Sequence, residues 1–251
     1  RRSTMMIENF VPKTAMVLAA GLGKRMRPLT DTMPKPMVPV NGTPLIGHVM
    51  NRLVDAGVNR AVVNLHYMGD QIQEYLSSED RLEIIYSEEA DLLETGGGVR
   101  LAMPILGTDP FYVINSDAFW LDGYQNTLLR LAREWRDDQM DALLMLQSTV
   151  YAYGYNGLGD FDADADGKLE RRQESAITPW LFAGIQILHP RAMENTPEGA
   201  FSLNVVYDQV SEAERLYGMI HDGEWFHIGT PESIPETEEF LNQPFAGEER
   251  R

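Results

Sequence analysis

The 251-residue chain contains no cysteine, which excludes disulfides, thiolate metal sites and cysteine nucleophiles and fits a cytoplasmic setting. It has no apolar run of the roughly 18–20 residues that a membrane span needs, so no membrane partner is expected. Arg1-Arg2 lead into Ser3, Thr4 and Glu8 rather than an apolar core, unlike a signal peptide. No G-x-S-x-G elbow occurs, which removes support for a serine hydrolase. His48, His66, His189 and His221 have no partner set at metal-ligand spacing. Positive charge is scarce: 21 Lys/Arg stand against 38 Asp/Glu, a net charge of −17. Such a chain is repelled by nucleic acid, which is therefore not expected as a partner.

What is present is a globular composition, 43 % hydrophobic and 24 % charged, which rules out disorder, collagen and coiled coil. The charge is unevenly spread. Residues 1–60 hold nine Lys/Arg against three acids, whereas the remainder holds 12 against 35. A local cationic cluster in an acidic chain suits a compact anion such as a polyphosphate, although acidic solubilising surfaces elsewhere would give the same asymmetry.

Hydrophobic periodicity predicts a buried strand over Thr14–Ala19 and a helix capped by Thr43-Pro44 and stopped by Gly57. Strands at Arg60–Asn64, Leu82–Tyr86, Phe111–Asn115 and Ala142–Leu146 alternate with helices at Gln71–Leu76, Thr95–Met103 and Asn126–Trp135. That rhythm implies parallel β-α-β units: an α/β, Rossmann-like, doubly wound and mainly parallel sheet. Beyond about residue 148 the pattern changes. Asp166-Gly167 signals a hairpin between Leu158–Asp162 and Lys168–Gln173. The Asp162-x-Asp164-x-Asp166 run has Gln173 where a calcium loop needs Glu. A strand at Trp180–Leu188, a helix at Leu203–Arg215, short strands at Leu216–Ile220 and Trp225–Ile228 and a helix from Thr230-Pro231 to Leu241 follow. The expected organisation is one domain over 13–241, in two parts (13–148 and a small mixed extension, 149–241), with tails at 1–12 and 242–251.

The stretch Leu18-Ala-Ala-Gly-Leu-Gly-Lys-Arg-Met-Arg27, with Pro34-Lys35-Pro36 beyond it, places bare backbone N–H groups and cations after a parallel strand, where open α/β folds bind ligands. It is not a P-loop, because Leu18 occupies the first glycine position and Arg25 that of Ser/Thr. It is not a dinucleotide fingerprint either, since Met26 replaces the third glycine; a nicotinamide dehydrogenase is disfavoured.

These residues resemble the signature of sugar-1-phosphate nucleotidyltransferases. The likeness continues through Pro34–Val40, Thr43–Ile46, Glu94-Thr-Gly-Gly-Gly98, Asn115-Ser-Asp117, Phe182-Ala-Gly184 and Gly229–Glu232, over about residues 13–241. Glu94–Gly98 resembles most the N-acetylmuramate-1-phosphate uridylyltransferase branch, with the mannose-1-phosphate guanylyltransferase branch next. The resemblance implies attack by a sugar-1-phosphate oxygen on the α-phosphorus of a nucleoside triphosphate, with pyrophosphate leaving and Mg²⁺ assisting (Mn²⁺ as the alternative). A non-catalytic nucleotide or sugar sensor on the same fold is the rival.

By that resemblance, Arg25 neutralises the departing phosphates, Lys35 bridges the α-phosphate and the sugar phosphate, and Asp117 holds the metal. Ala19, Ala20, Gly21, Gly23 and Lys24 form the nucleotide floor, with Ser87, Glu88 and Leu92 near the base. Glu94, Thr95, Gly96, Gly97, Asn115, Gly184 and Asn204 face the sugar. The three glycines after Thr95 are read as allowing close approach of ligand. Two departures stand out: Ser116 replaces the middle glycine of N-G-D, and His227 stands where the second metal-binding aspartate is expected. Imidazole suits Mn²⁺, Co²⁺ or Zn²⁺ better than Mg²⁺. A monomer or weak homo-oligomer is expected.

Overall fold

A computed structural model describes residues 10–244. The chain runs β1 (Thr14–Leu18), β2 (Pro39–Val40), β3 (Thr43–Pro44), α1 (Leu45–Asp55), β4 (Arg60–Leu65), α2 (Gly69–Leu76), β5 (Glu83–Glu88), α3 (Glu94–Leu106), β6 (Phe111–Asn115) and β7 (Phe119–Leu121). It continues with α4 (Thr127–Glu134), β8 (Ala142–Ser148), β9 (Phe161–Ala163), β10 (Leu169–Arg171), β11 (Trp180–Leu188), α5 (Asn204–Glu212), β12 (Leu216–Ile220), β13 (Glu224–Phe226) and α6 (Ser233–Asn242). Of the expected tails, 1–9 and 245–251 lie outside the described residues, whereas Val11 packs on the core and Asn242 ends α6.

β5, β4, β1 and β6 are parallel neighbours, as the alternating pattern requires. The expected fifth parallel strand, β8, does not follow β6. β11 lies between them, antiparallel to both, and β12 pairs parallel with the far side of β8. The reason is physical: β11 is the longest strand, WLFAGIQIL, with both faces apolar, and only a central position buries both. Successive β1 side chains alternate between two cores. Ala15 and Val17 face α1, α2 and α4, whereas Met16 faces α3 and α5. The fold is thus a three-layer sandwich with helices on both faces.

Local expectations were met unevenly. The Asp164 carboxylate accepts N–H bonds from Asp166 and Lys168, both at 2.9 Å, which closes the β9–β10 hairpin. Asn126 caps α4 by accepting from the Leu129 amide at 3.0 Å. Thr43 does not cap α1. Asn41 and Gly42, at φ 48° and 77°, form a turn between β2 and β3 that draws Thr43 into pairing with Val40, and Pro44 precedes the helix. β7 escapes the periodicity because it is three residues long; it pairs with β13.

Candidate active site

The carboxyl ends of β1, β4 and β6 open into a cleft of about 530 Å³. Leu18, Ala19, Ala20, Gly21 and Gly23 line its floor; Lys24, Arg25, Met26, Lys35 and Pro36 one side; Asn115, Ser116, Asp117 and Gly229 another; and Asn64, Leu92, Glu94, Thr95 and Ser202 the remainder. Arg25, Lys35 and Asp117 therefore share one cavity.

The cationic side is held by packing rather than by long helices. Gly23 adopts φ 60°, and a methyl there would come within 3.0 Å of Thr30 and 3.1 Å of Lys35, so glycine is required at this corner. Its carbonyl accepts from the Met26 amide at 3.0 Å and the Thr30 hydroxyl at 2.7 Å. Met26 is fully buried against Val38, Leu45, Phe119 and Phe226. Burying such a side chain contributes about 1.5–3 kcal/mol, enough to hold Lys24 and Arg25 exposed beside it. Arg27 does not line the cleft; it pairs with Asp31 at 3.4 Å. The rigid φ of Pro34 and Pro36 flanks Lys35, whose ammonium donates to Asp117 Oδ2 at 2.5 Å.

Asp117 follows β6 on a tight turn, with the Ser116 amide bound to the Leu18 carbonyl at 3.0 Å. Ser116 is not among the residues with left-handed backbone, so serine fits where the family pattern has glycine. His227 does not line the cavity, but its ring folds over Gly229, which does. Burial lowers its pKa, and the charges of Lys35 and Arg25 lower it further against the opposing effect of Asp117. Its imidazole is accordingly held towards the neutral form, the state that can ligate metal. Among the described residues, no group of three or more His, Cys, Asp or Glu converges as a metal cage. One carboxylate with one imidazole nearby is a sparse donor set. It fits a cation that takes most of its ligands from phosphate oxygens and water, as Mg²⁺ commonly does.

The glycine run of α3 packs against a distant segment of the chain. The amides of Gly96 and Gly97 both donate to the Phe201 carbonyl, at 2.8 and 3.1 Å, and neither residue lines the cleft. A methyl on Gly96 would strike the Phe201 ring, and one on Gly97 would stand 2.5 Å from the Gly199 carbonyl oxygen. These glycines let the segment 199–203 lie on the helix start. Thr95 completes that junction by accepting from the Leu203 amide at 2.8 Å. Gly96 and Gly97, expected to face the sugar, thus lie beside the cleft wall in a packed junction and not among the residues that line the cleft.

Four other expected residues lie elsewhere. Ser87 is buried within β5, Glu88 faces a separate hollow beside α2, and exposed Asn204 begins α5 outside the cleft. Gly184, at φ 80°, sits beneath Asn115, where a methyl would be 3.0 Å from its amide nitrogen. Ser202 lines the wall instead of Asn204. Asn64 was missed because it sits inside an apolar strand, Arg60–Leu65, and reads as a strand-end residue. The polar residue in that run was the available signal.

A parallel sheet with a glycine floor and converging cations at its carboxyl edge defines a nucleotide-phosphate-binding α/β protein. The profile of the family described as "Nucleotidyl transferase" matches residues 14–244, and the chain belongs to that family. It is 38 % identical over 227 residues to "N-acetylmuramate alpha-1-phosphate uridylyltransferase" of Caulobacter vibrioides, covering 88 % of this chain and 94 % of that one. It is 31 % identical over 228 residues to "Mannose-1-phosphate guanylyltransferase catalytic subunit beta" of Drosophila pseudoobscura pseudoobscura, covering 88 % of this chain and 60 % of that one. The fold is shared with a crystal structure of UDP-glucose pyrophosphorylase complexed with UDP-glucose, at a TM-score of 0.76 and 18 % identity, covering 92 % of this chain and 98 % of that one. No helix among the described residues is long and apolar enough to cross a membrane.

Proposed function

We propose that the protein transfers a uridylyl group from UTP to N-acetylmuramate-1-phosphate, releasing pyrophosphate, with residues 13–148 holding the nucleotide and 149–241 completing the sugar side of the cleft. The observation that carries this reading is the convergence of Lys35, Asp117 and Arg25 in one cleft, with Lys35 Nζ 2.5 Å from Asp117 Oδ2. The 38 % identity to the uridylyltransferase supports the choice of base and sugar.

Transfer of a nucleotidyl group demands positioning and charge stabilisation rather than covalent help. The sugar-phosphate oxygen forms the new bond to the α-phosphorus as the bond to pyrophosphate breaks. Ala19, Ala20 and Gly21 offer a floor without bulky side chains for base and ribose, beside Leu92. Lys35, half in the cleft wall, stabilises charge on the reacting phosphates, and Arg25 with Lys24 takes the departing ones. Glu94, Thr95, Asn115 and Ser202 face the sugar. Asp117 would hold Mg²⁺, which when bound supplies further neutralisation of the triphosphate, and His227 stands beside it as the residue that would favour Mn²⁺. The protein acts in the cytoplasm, as a monomer or weak homo-oligomer.

The test is pyrophosphate release measured with UTP, GTP, dTTP and CTP against a panel of sugar-1-phosphates, with Mg²⁺ and with Mn²⁺. Release with UTP and N-acetylmuramate-1-phosphate is expected. A stronger signal with GTP and mannose-1-phosphate would transfer the assignment to the guanylyltransferase reaction. Silence in every combination would leave a sensor.

A further inference from the structure

A pair of buried polar side chains spans the cleft wall without being part of the reaction described above. Asn64, on β4, is 2 % exposed and Glu89, just after β5, is 5 % exposed. Asn64 Oδ1 accepts from the Ala19 amide at 2.6 Å, and its Nδ2 donates to Glu89 Oε1 at 2.8 Å. Glu89 Oε2 accepts in turn from the Leu93 amide at 3.1 Å. The chain of three hydrogen bonds therefore starts on the glycine floor and ends on the segment bearing Leu92 and Glu94, both of which line the cleft.

We propose that Asn64 and Glu89 are positioning residues that hold these two walls at one separation, and that the pair must contain one amide and one carboxylate. The proposal rests on the nucleotidyl-transfer reading, in which both walls face the nucleotide.

Counting donors gives the second half of the claim. The outer groups, the Ala19 and Leu93 amides, are backbone donors and cannot change. An amide at both inner positions brings one N–H too many and leaves two donors face to face. A carboxylate at both must either bring two buried negative charges together or take up a proton that a lone carboxyl would not hold at neutral pH, and either costs free energy. One of each satisfies every group, in either order. Flipping the Asn64 amide does not help, because its NH₂ would then face the Ala19 N–H.

The surroundings are built for this pair. Glu89 is fixed through its main chain, with its amide donating to the Leu65 carbonyl at 2.8 Å and its carbonyl 2.9 Å from His66 Nδ1. Gly98 of α3 leaves the space: a methyl there would stand 2.7 Å from Glu89 Oε1 and 2.8 Å from Asn64 Nδ2. The third glycine of the Glu94–Gly98 run is thereby explained by a hydrogen-bonded pair, not by ligand.

The experiment compares Asn64→Asp, Glu89→Gln and the double exchange Asn64→Asp/Glu89→Gln. UTP binding in the presence of Mg²⁺ is measured by calorimetry, KM for UTP and kcat in steady state, and amide exchange at Ala19 and Leu93 by mass spectrometry. Each single variant is expected to weaken UTP binding and raise its KM about tenfold, the effect of one buried mismatched donor or acceptor, with faster exchange at both amides and a smaller change in kcat. The double variant restores all three, to within about threefold, because its hydrogen bonds are again complete. Single variants that bind UTP as the wild type does would overturn the proposal, as would a folded double variant no better than the singles. Should a single variant fail to fold, recovery in the double decides in favour and its absence against. Wild type that binds no nucleotide, while amide exchange still follows the swap, would overturn the proposed function and leave the tie between the walls standing.

Discussion

Lys35 and Asp117 lie 82 positions apart in the sequence and meet at 2.5 Å, with the lysine side chain only 13 % exposed. The pair joins a proline-flanked turn to the end of β6, so each charge fixes the other before substrate arrives. Arriving phosphates compete with Asp117 for the same ammonium, and a cation held by Asp117 would release it. Lys35→Ala is expected to lower kcat/KM by about 2–4 kcal/mol, the usual cost of losing one preorganised charge stabiliser. Steady-state kinetics at saturating Mg²⁺ checks it; near-normal turnover would remove Lys35 from the mechanism.

His227 sets the second prediction. Its ring is held towards the neutral form by burial and by Lys35 and Arg25, close enough to Asp117 for that carboxylate to oppose the shift. In His227→Asp a hard oxygen replaces a softer nitrogen. Titrations of activity against Mg²⁺ and Mn²⁺ are expected to show the preference moving towards Mg²⁺. If the ratio of the two stays as in the wild type, His227 is not a metal ligand.

A third expectation concerns Gly97. Since an added methyl meets the Gly199 carbonyl oxygen at 2.5 Å, backbone must shift to admit it. Overpacking of this kind costs typically about 1–3 kcal/mol, and the better helix propensity of alanine offsets up to about 1 kcal/mol. Gly97→Ala is expected to be net destabilising in urea denaturation. An unchanged midpoint would return the glycine run to the role of a ligand cradle.

These residues also mark how far sequence reading reaches. Gly23, Lys35 and Asp117 are legible because they sit in short contiguous motifs, Gly-Leu-Gly-Lys-Arg, Pro-Lys-Pro and Asn-Ser-Asp, which need no knowledge of distant pairing, and the structure brings all three to one cleft. Gly96 and Gly97 are harder to read, because close packing and close ligand approach demand the same residue and the packing partner, Phe201, lies more than a hundred residues later. The Asn64–Glu89 pair and the insertion of β11 between β6 and β8 share that difficulty. Each depends on which distant strand lies alongside, and periodicity carries no information about pairing partners. The parallel core was read from its alternation, whereas Trp180–Leu188 was legible as a strand but not in its antiparallel place between β6 and β8.

The last prediction lies at the opposite end of the sheet from the cleft. Asp141, just before β8, takes the guanidinium Nε of both Arg191 and Arg215 on one oxygen, the latter at 2.7 Å, so it ties the end of β11 to the start of β12. Its side chain is 14 % exposed. Burial opposes ionisation, but the hydrogen bonds and charges of the two arginines outweigh it and hold the carboxyl below its usual range. A lowered native pKa means that the unfolded chain binds the proton more readily. The stabilisation is therefore complete above the unfolded value, about pH 4, and is lost as pH falls through the native one. Asp141→Asn is expected to cost about 1–3 kcal/mol at neutral pH, since two partly buried guanidinium groups lose their counter-charge. The difference from wild type should shrink as pH falls below about 4, where the unfolded chain takes up the proton first and the native carboxylate does so only at lower pH. Urea denaturation across pH 3–8 measures this directly, and kcat should be unaffected because the triad is remote from Lys35 and Asp117. A stability difference that persists undiminished at pH 3 would show that Asp141 acts through shape and not through charge.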